Sequence, residues 1–371
     1  MTTLIKHILA IANKEAKHIK RDIFTLAVAL ILPMLFVGFF GFVINLDYHH
    51  IPLLVRDNDQ SSTSRELLTQ ASAAEYFDVI AVHTPGEAEQ QLHENSMRTM
   101  LIIPPGFHDE FTKGTMARAQ LLIDGTDNTM ASLATTYMQG IVQATQHALL
   151  EPHIPESPVI RTRYLFNPEL NSHWFIVPAL NTIIIGFLAI LLTALTVAKE
   201  WENGSMELLL STPLRAVEIV VGKLLPYFVL SFFDVLLVFV LALLVFRIPF
   251  QGSFALYLMA CMFYITGALA LGLLISVITR QQQAAIQFGF AVGLLPSFMF
   301  SGFIFPIENM PVFFRYLTAL FPQRWFLQIS RALFLSEAGL VDLWVPFAAL
   351  FVFMAGMIIL AVQNFKMDVE P

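Results

Sequence analysis

Apolar residues in this chain gather into six long runs: Ile23–Leu46, Trp174–Ala198, Leu224–Phe246, Phe254–Ile278, Ala284–Phe305 and Leu343–Asn364. Each is long enough to cross a bilayer core, which takes about 20 apolar residues in an α-helix. Ahead of the first run, positions 4, 5, 8, 11, 12, 16 and 19 are apolar, with Lys6, Lys14, Lys17 and Lys20 between them. That spacing predicts a basic amphipathic helix at an anionic membrane surface. Between the first two runs the pattern shortens. Ile51–Val55, Phe77–Val82, Met100–Ile103, Gln120–Ile123 and Val159–Phe166 read as strands; Ser61–Glu75, Pro85–Glu94 and Thr129–Leu150 read as helices. Strands alternating with helices predict a small α/β domain. Before the last run, Pro306, Pro311 and Pro322 break the chain into two short amphipathic helices, Phe313–Leu320 and Arg324–Phe334. Tyr316 and Trp325 there suit an interfacial aromatic belt.

The expected fold class is an all-α polytopic membrane protein of six transmembrane helices, with an extracytoplasmic α/β domain inserted between helices 1 and 2. Residues 1–22 form the cytoplasmic interfacial helix, 23–46 the first span, 47–172 the inserted domain and 173–371 the other five spans. Within the last segment lie a cytoplasmic loop, 199–222, and outer interfacial helices, 305–340. The first run exceeds the 7–15 residues of a signal-peptide core and ends in I-N-L-D-Y without a small-x-small site, so it is a permanent anchor. Five Lys/Arg precede it and hold the N-terminus in the cytoplasm; six spans return the C-terminus there. Lys199, Arg215, Lys223, Arg280 and Lys366 then fall inside, and Arg247 is the one Lys/Arg of the short outer loop.

Composition agrees. Apolar residues make up 56% and charged residues 13%, against about 25% charged in soluble domains. The net charge of −7 says little, and no basic patch suits nucleic acid. Cys261 is the single cysteine, so no intrachain disulfide forms. The sequon Asn203-Gly204-Ser205 falls on the cytoplasmic side, where glycosylation is not expected.

Catalytic signatures are missing. The chain has no phosphate-binding G-x-x-x-x-G-K-[ST], no G-x-S-x-G elbow and no H-E-x-x-H. Histidines 49, 50, 83, 93, 108, 147 and 153 lack ligand spacing and read as surface residues. Asp57-Asn58-Asp59 begins like a calcium loop but lacks the later Gly and Glu, and reads as a turn before a helix. No enzyme activity, metal or bound cofactor is expected of this chain. Asp234, near the middle of the third run, is a candidate intramembrane polar site. It either lines a path or binds a proton or cation, or else fastens helices through Asn181, Thr182 or Gln287. Gly289-x-x-x-Gly293 and Ala268-x-x-x-Gly272 allow close helix packing; Pro226 and Pro296 are candidate kinks.

One polar stretch remains: Lys199–Pro213, K-E-W-E-N-G-S-M-E-L-L-L-S-T-P, with carboxylates at Glu200, Glu202 and Glu207. Asn203-Gly204 turns the chain. Ser205 is placed to cap a helix over Met206–Leu210, and Thr212 to cap another with Pro213 at its first position. Met206, Leu209 and Leu210 would fill a partner's groove while the acids fix register.

This run, followed by G-K-L-L-P-Y, resembles the inner-loop signature of type-two permeases of ATP-binding-cassette (ABC) exporters. Ser301–Pro311, S-G-F-I-F-P-I-E-N-M-P, also matches, as does the order of one span, a large outer domain and five spans. The resemblance covers nearly the whole chain and is nearest to bacterial drug-efflux permeases. It implies that Glu200, Trp201, Glu202, Gly204, Met206 and Glu207 form a coupling element seated in a separate ABC ATPase, which would hold the ATP and Mg. It also implies a second permease chain, identical or sister, a periplasmic adaptor as a candidate partner, and a place in the bacterial inner membrane among its lipids. The function expected is export of a hydrophobic or amphipathic, drug-like compound, with cation-linked efflux within the family's range. A membrane sensor whose outer domain binds ligand, and an intramembrane enzyme, are the alternatives; neither has a large inner domain or a nucleophile–base set to support it.

Overall fold

The structure is a computed structural model that describes residues 2–44, 50–74, 76–82, 99–124, 128–150 and 171–365. The chain divides into two units, residues 46–163 and the remainder. At the start of the larger unit, α1 (Thr2–Arg21) is the expected amphipathic helix, and α2 (Ile23–Val43) follows after one residue. Asp22 separates them and caps α2, accepting from Thr25 N at 3.1 Å and Thr25 Oγ1 at 2.7 Å.

The smaller unit is built on a four-stranded sheet. Its strands are β1 (Ile51–Asp57), β2 (Phe77–Ala81), β3 (Thr99–Ile103) and β4 (Gln120–Ile123), in spatial order β2-β1-β3-β4. β1 runs parallel to β2 and β3; β4 is antiparallel to β3. The run IPLLV is continuously apolar because β1 is central and covered on both faces. Leu53 and Val55 pack with Leu67, Phe77, Leu101 and Ile103, while Leu54 packs with Val82 and Met100 on the other face. Helices α3 (Ser62–Ala73) and α5 (Asn128–Leu150) match expectation. The short α4 (Phe107–Thr112) was not foreseen. It begins at Gly106, whose φ of +84° favours glycine. The helix Pro85–Glu94, the strand Val159–Phe166, histidines 49, 83, 93 and 153 and the His147 side chain lie outside what is described.

Asp57-Asn58-Asp59 is a turn before a helix, as read. Asp57 Oδ1 accepts from the Asp59 and Gln60 N–H groups, and Asp57 Oδ2 from Ser64 Oγ. Asp59 reaches across to α4, accepting from the N–H groups of Gly106, Phe107 and His108 at 2.8–3.1 Å. The Ser61 hydroxyl, then those backbone N–H groups, hold the Asp59 carboxyl below its ordinary value. A depressed carboxyl stabilises the fold above the pKa of the unfolded chain and loses that stabilisation as pH falls through the folded value. Asp59→Ala is therefore expected to weaken the start of α4 by about 1 kcal/mol. Hydrogen exchange at residues 106–108 checks this; it should rise at neutral pH and converge with wild type in acid.

In the larger unit six helices among the described residues are long and apolar enough to cross a membrane. After α2 come α6 (Ser172–Glu202), α8 (Ala216–Leu244), α9 (Phe254–Thr279), the segment Gln282–Phe300 and α14 (Trp344–Asn364). Between α6 and α8 lies the short α7 (Ser205–Leu210). The fifth crossing segment is α10 (Gln282–Gly289), a π-turn (Phe290–Leu294) and α11 (Leu295–Phe300). Helices α12 (Val312–Leu317) and α13 (Pro322–Leu335) fill the Pro-punctuated stretch.

α6 is the central helix. It is buried along most of its length because α2, α8, α9, α10 and α13 all pack on it. Thr193 Oγ1 donates to Leu269 O at 2.8 Å, and Tyr264 Oη to Thr182 O at 2.7 Å. Gly272 lets α9 touch α6: a Cβ there would overlap Ile190 O and Thr193 Oγ1. Gly289 is different, since its added Cβ would meet Leu191 at an ordinary 3.7 Å. The π-turn has a local cause. Pro296 lacks the N–H that would bond the Val292 carbonyl and so breaks the helical ladder, and next to it Ser297 Oγ donates to the Gly293 carbonyl.

Candidate coupling site

The loop after α6 is shorter in helix than expected. Gly204, at φ +69°, precedes α7 as its N-cap, while Ser205 Oγ donates back to Glu200 O at 3.3 Å rather than capping forward. Thr212 does not start the next helix either; its hydroxyl donates to Leu209 O. α8 starts at Ala216, three residues past Pro213, because Glu218 supplies the cap by accepting from Arg215 N at 2.8 Å. The capping acid is Glu218, five residues past Pro213, where no Ser or Thr marks the helix start.

The six candidate coupling residues divide by exposure. Met206 is buried at 2%, and Leu209 packs partly buried beside it. Two of the three residues expected to fill a partner's groove are thus turned into this chain's own core; the side chain of the third, Leu210, lies outside what is described. Trp201 is half-buried, with the Arg280 guanidinium 4.5 Å above its ring. Glu202 is exposed but engaged: it accepts from Gln282 N at 2.7 Å and from Gln282 Nε2. The end of α6 is thereby tied to the start of α10. Gly204 and Glu207 face outward, and so does Leu208, at 74% exposure. Leu208 was missed because helical spacing alone could not say which side of a six-residue helix lies against the bundle.

Glu200 does something else. Its Oε2 is 2.7 Å from Lys223 Nζ, and its Oε1 is 2.6 Å from Lys14 Nζ. Lys223 also donates to Glu15 Oε1 at 2.8 Å. Lys223 is 1% exposed and Glu15 is buried. Two carboxylates around one buried ammonium therefore join α1, α6 and α8, and His7 adds a contact to Glu218 at 3.2 Å. α1 is seated on α8 by its apolar face as well. Ile11, Ala12 and Ile19 are buried, and a Cβ on Gly222 would lie 2.7 Å from Ile11 Cβ. Glu15 stands between Ile11 and Ile19 on the apolar stripe of α1, and Lys223 was read only as a cation on the inner side; their pairing across 208 residues left no local signal.

Asp234 is 3% exposed, and its Oδ1 has no hydrogen-bond partner among the described residues. None of the fastening partners expected for it bonds to it among the described residues, although Asn181 Oδ1 is also without a partner. Asn181 Nδ2 donates to Tyr257 Oη and Thr182 Oγ1 to Pro178 O, and no bond joins Asp234 to Gln287. Among the described residues no cluster of three metal-ligating side chains occurs.

A profile of the ABC-2 family transporter proteins matches residues 23–362 of this chain. The chain belongs to the ABC-2 transporter family. It is 32% identical over 335 residues to the probable multidrug ABC transporter permease YbhS of Escherichia coli, covering 89% of each chain. It is equally 32% identical to the probable multidrug ABC transporter permease YbhR of the same organism, covering 90% of each. The inner membrane transport permease YhhJ of Escherichia coli is 26% identical, with 85% of each chain covered. The ABC-2 protein described here is thus a multi-pass inner-membrane permease subunit of an ABC exporter, not an enzyme. Permeases of this family work with an ABC ATPase and often with a second permease.

Proposed function

We propose that this ABC-2 permease exports hydrophobic or amphipathic drug-like compounds and that residues 199–222 seat it on its ATPase. The observation that carries the docking reading is the division within the loop. Trp201 and Met206 anchor α7 in the bundle, while Gly204, Glu207 and Leu208 stand outside it. A short helix held rigidly at both ends transmits a push instead of bending under it. Glu202 hands part of that push to α10 through Gln282, and Glu200 hands part to α1 and α8. The multidrug names of YbhS and YbhR support the substrate class.

The test is capture of a Walker-motif ATPase from native membranes by the tagged full chain. Glu207→Lys with Leu208→Glu is expected to lower recovery about tenfold or more, equivalent to ~1.4 kcal/mol. Equal recovery moves the docking surface elsewhere, and failure of the unaltered chain to retain any ATPase sinks the reading.

Residues 47–172 lie outside the cytoplasm in this proposal, where they receive substrate or dock a periplasmic adaptor. Because Cys261 is the single cysteine and is buried, Lys113→Cys provides a clean probe: an impermeant maleimide added outside should label it. Asp234 serves as an intramembrane polar site, a role supported by its unpartnered Oδ1. Asp234→Asn should lower drug efflux at unchanged protein level; unchanged efflux removes it from the mechanism.

A further inference from the structure

Beside the buried ion network, α1 lines an open recess of about 780 Å³ with Asn13, Lys14, Lys17, His18 and Arg21; Lys199 faces them from the end of α6. The spacing 13, 14, 17, 18, 21 is a single stripe of a helix. It lies next to the stripe that packs on α8 and is presented to this recess. Four permanent cations therefore converge, with two carboxylates near them, and both carboxylates are engaged. Asp22 caps α2, and Glu200 pairs with Lys14 and Lys223. Among the described residues Lys17, Arg21 and Lys199 have no acidic partner. Immediately beyond Asp22, α2 turns out large apolar side chains: Ile23 is 79% exposed, Ile31 56% and Leu35 59%. A cationic recess thus opens directly beside an uncovered apolar helix face, at the boundary where two spans enter the membrane.

We infer that this recess is a binding site for an anionic phospholipid, with the headgroup phosphate held by Lys17, Arg21 and Lys199 and the acyl chains laid along α2. An isolated phosphate would use the cations but leave the α2 face bare; a zwitterionic lipid would use the face but leave the cations uncompensated. Basic pockets at the cytoplasmic ends of spans take anionic headgroups for this reason. Lys14 borders both the recess and Glu200, so the bound lipid abuts the ion network that holds α1. The inference rests on the N-in orientation proposed above, but not on ATPase docking, and ATPase capture tests that docking separately.

The experiment is native mass spectrometry of the full chain released from nanodiscs of phosphatidylcholine with a minor share of phosphatidylglycerol. The unaltered chain should retain phosphatidylglycerol preferentially. Lys17→Gln/Arg21→Gln/Lys199→Gln should reduce that preference by about fivefold per cation removed. Lys6→Gln/Lys20→Gln, which takes two cations from the same helix outside the recess, should leave it nearly unchanged. Equal losses in both variants, or no preference in the unaltered chain, would overturn the site. So would displacement of the lipid by millimolar inorganic phosphate, which would mark a soluble-anion site. Photoactivatable phosphatidylglycerol on the unaltered chain gives a readout independent of variant folding: label in residues 10–35 supports the site, and label confined elsewhere refutes it.

Discussion

Lys223→Met is expected to destabilise the permease by about 3–5 kcal/mol, because it leaves Glu15 and part of Glu200 as buried carboxylates without their counter-charge. Total stability of folded proteins is about 5–15 kcal/mol, so a loss of this size should show as a lower melting temperature in detergent and less protein in the membrane. The ion network need not itself be a net source of stability. Replacing all of a buried ionic cluster with apolar side chains of similar volume is often neutral. Glu15→Met/Lys223→Met/Glu200→Met should therefore recover most of the melting temperature that Lys223→Met loses. If transport stays low in that triple variant at normal protein level, the charges serve coupling and not only assembly. An unchanged melting temperature in Lys223→Met would mean that Lys223 is solvated and α1 is held by its apolar face alone.

Gly272→Val is the second large effect. The added atoms would run into the Ile190 carbonyl and the Thr193 side chain on α6. A carbonyl of a central helix cannot rotate aside, so α9 must move away as a body. That separation would strain the Thr193–Leu269 and Tyr264–Thr182 bonds and open the contact with α6 along its length. A loss of at least 1–3 kcal/mol, about the usual range for overpacking, is expected. Membrane levels and detergent melting measure it. Gly289→Ala is the matched control. Its Cβ finds ordinary contact distances and gains helix propensity of about 1 kcal/mol, so it should be tolerated or stabilising. If Gly272→Val behaves like Gly289→Ala, the two helices are not in contact at this level.

The difference between those two glycines marks what a linear reading supplies. All six crossing helices were legible, since lipid allows one solution for about 20 apolar residues in a row, and the ends fell within a few residues except where Glu218 moved the start of α8. Four strands of the inserted unit were legible too, because β1 opens with the apolar run Ile51–Val55 and its neighbours alternate with helices. α4 was not, because the group that caps it is Asp59, 47 residues earlier. Long-range pairing also hid the arrangement of the candidate coupling loop. Glu200, Glu202 and Glu207 are chemically alike in sequence, but one is seated in a buried cluster, one ties two loops, and one faces out. Met206, expected to face a partner, turns inward and Leu208, not singled out, faces outward for the same reason: which side of α7 is inner is decided by Trp201 and the bundle, not by α7.

The Glu15–Lys223 bond carries a consequence for how the permease is made. The 208 residues between its two ends are synthesised in about 10–40 s at ordinary ribosomal rates. Throughout that interval Glu15 has no ammonium to meet, and Ile11 and Ile19 have no α8 to cover them. In the proposed N-in arrangement the basic amphipathic character of α1 would let it wait on the bilayer surface, and it docks on α8 only after the third span has emerged. Docking of α1 is then a late checkpoint in biogenesis, and a nascent chain stalled before residue 223 should display the first 21 residues to a protease that spares them in the finished permease.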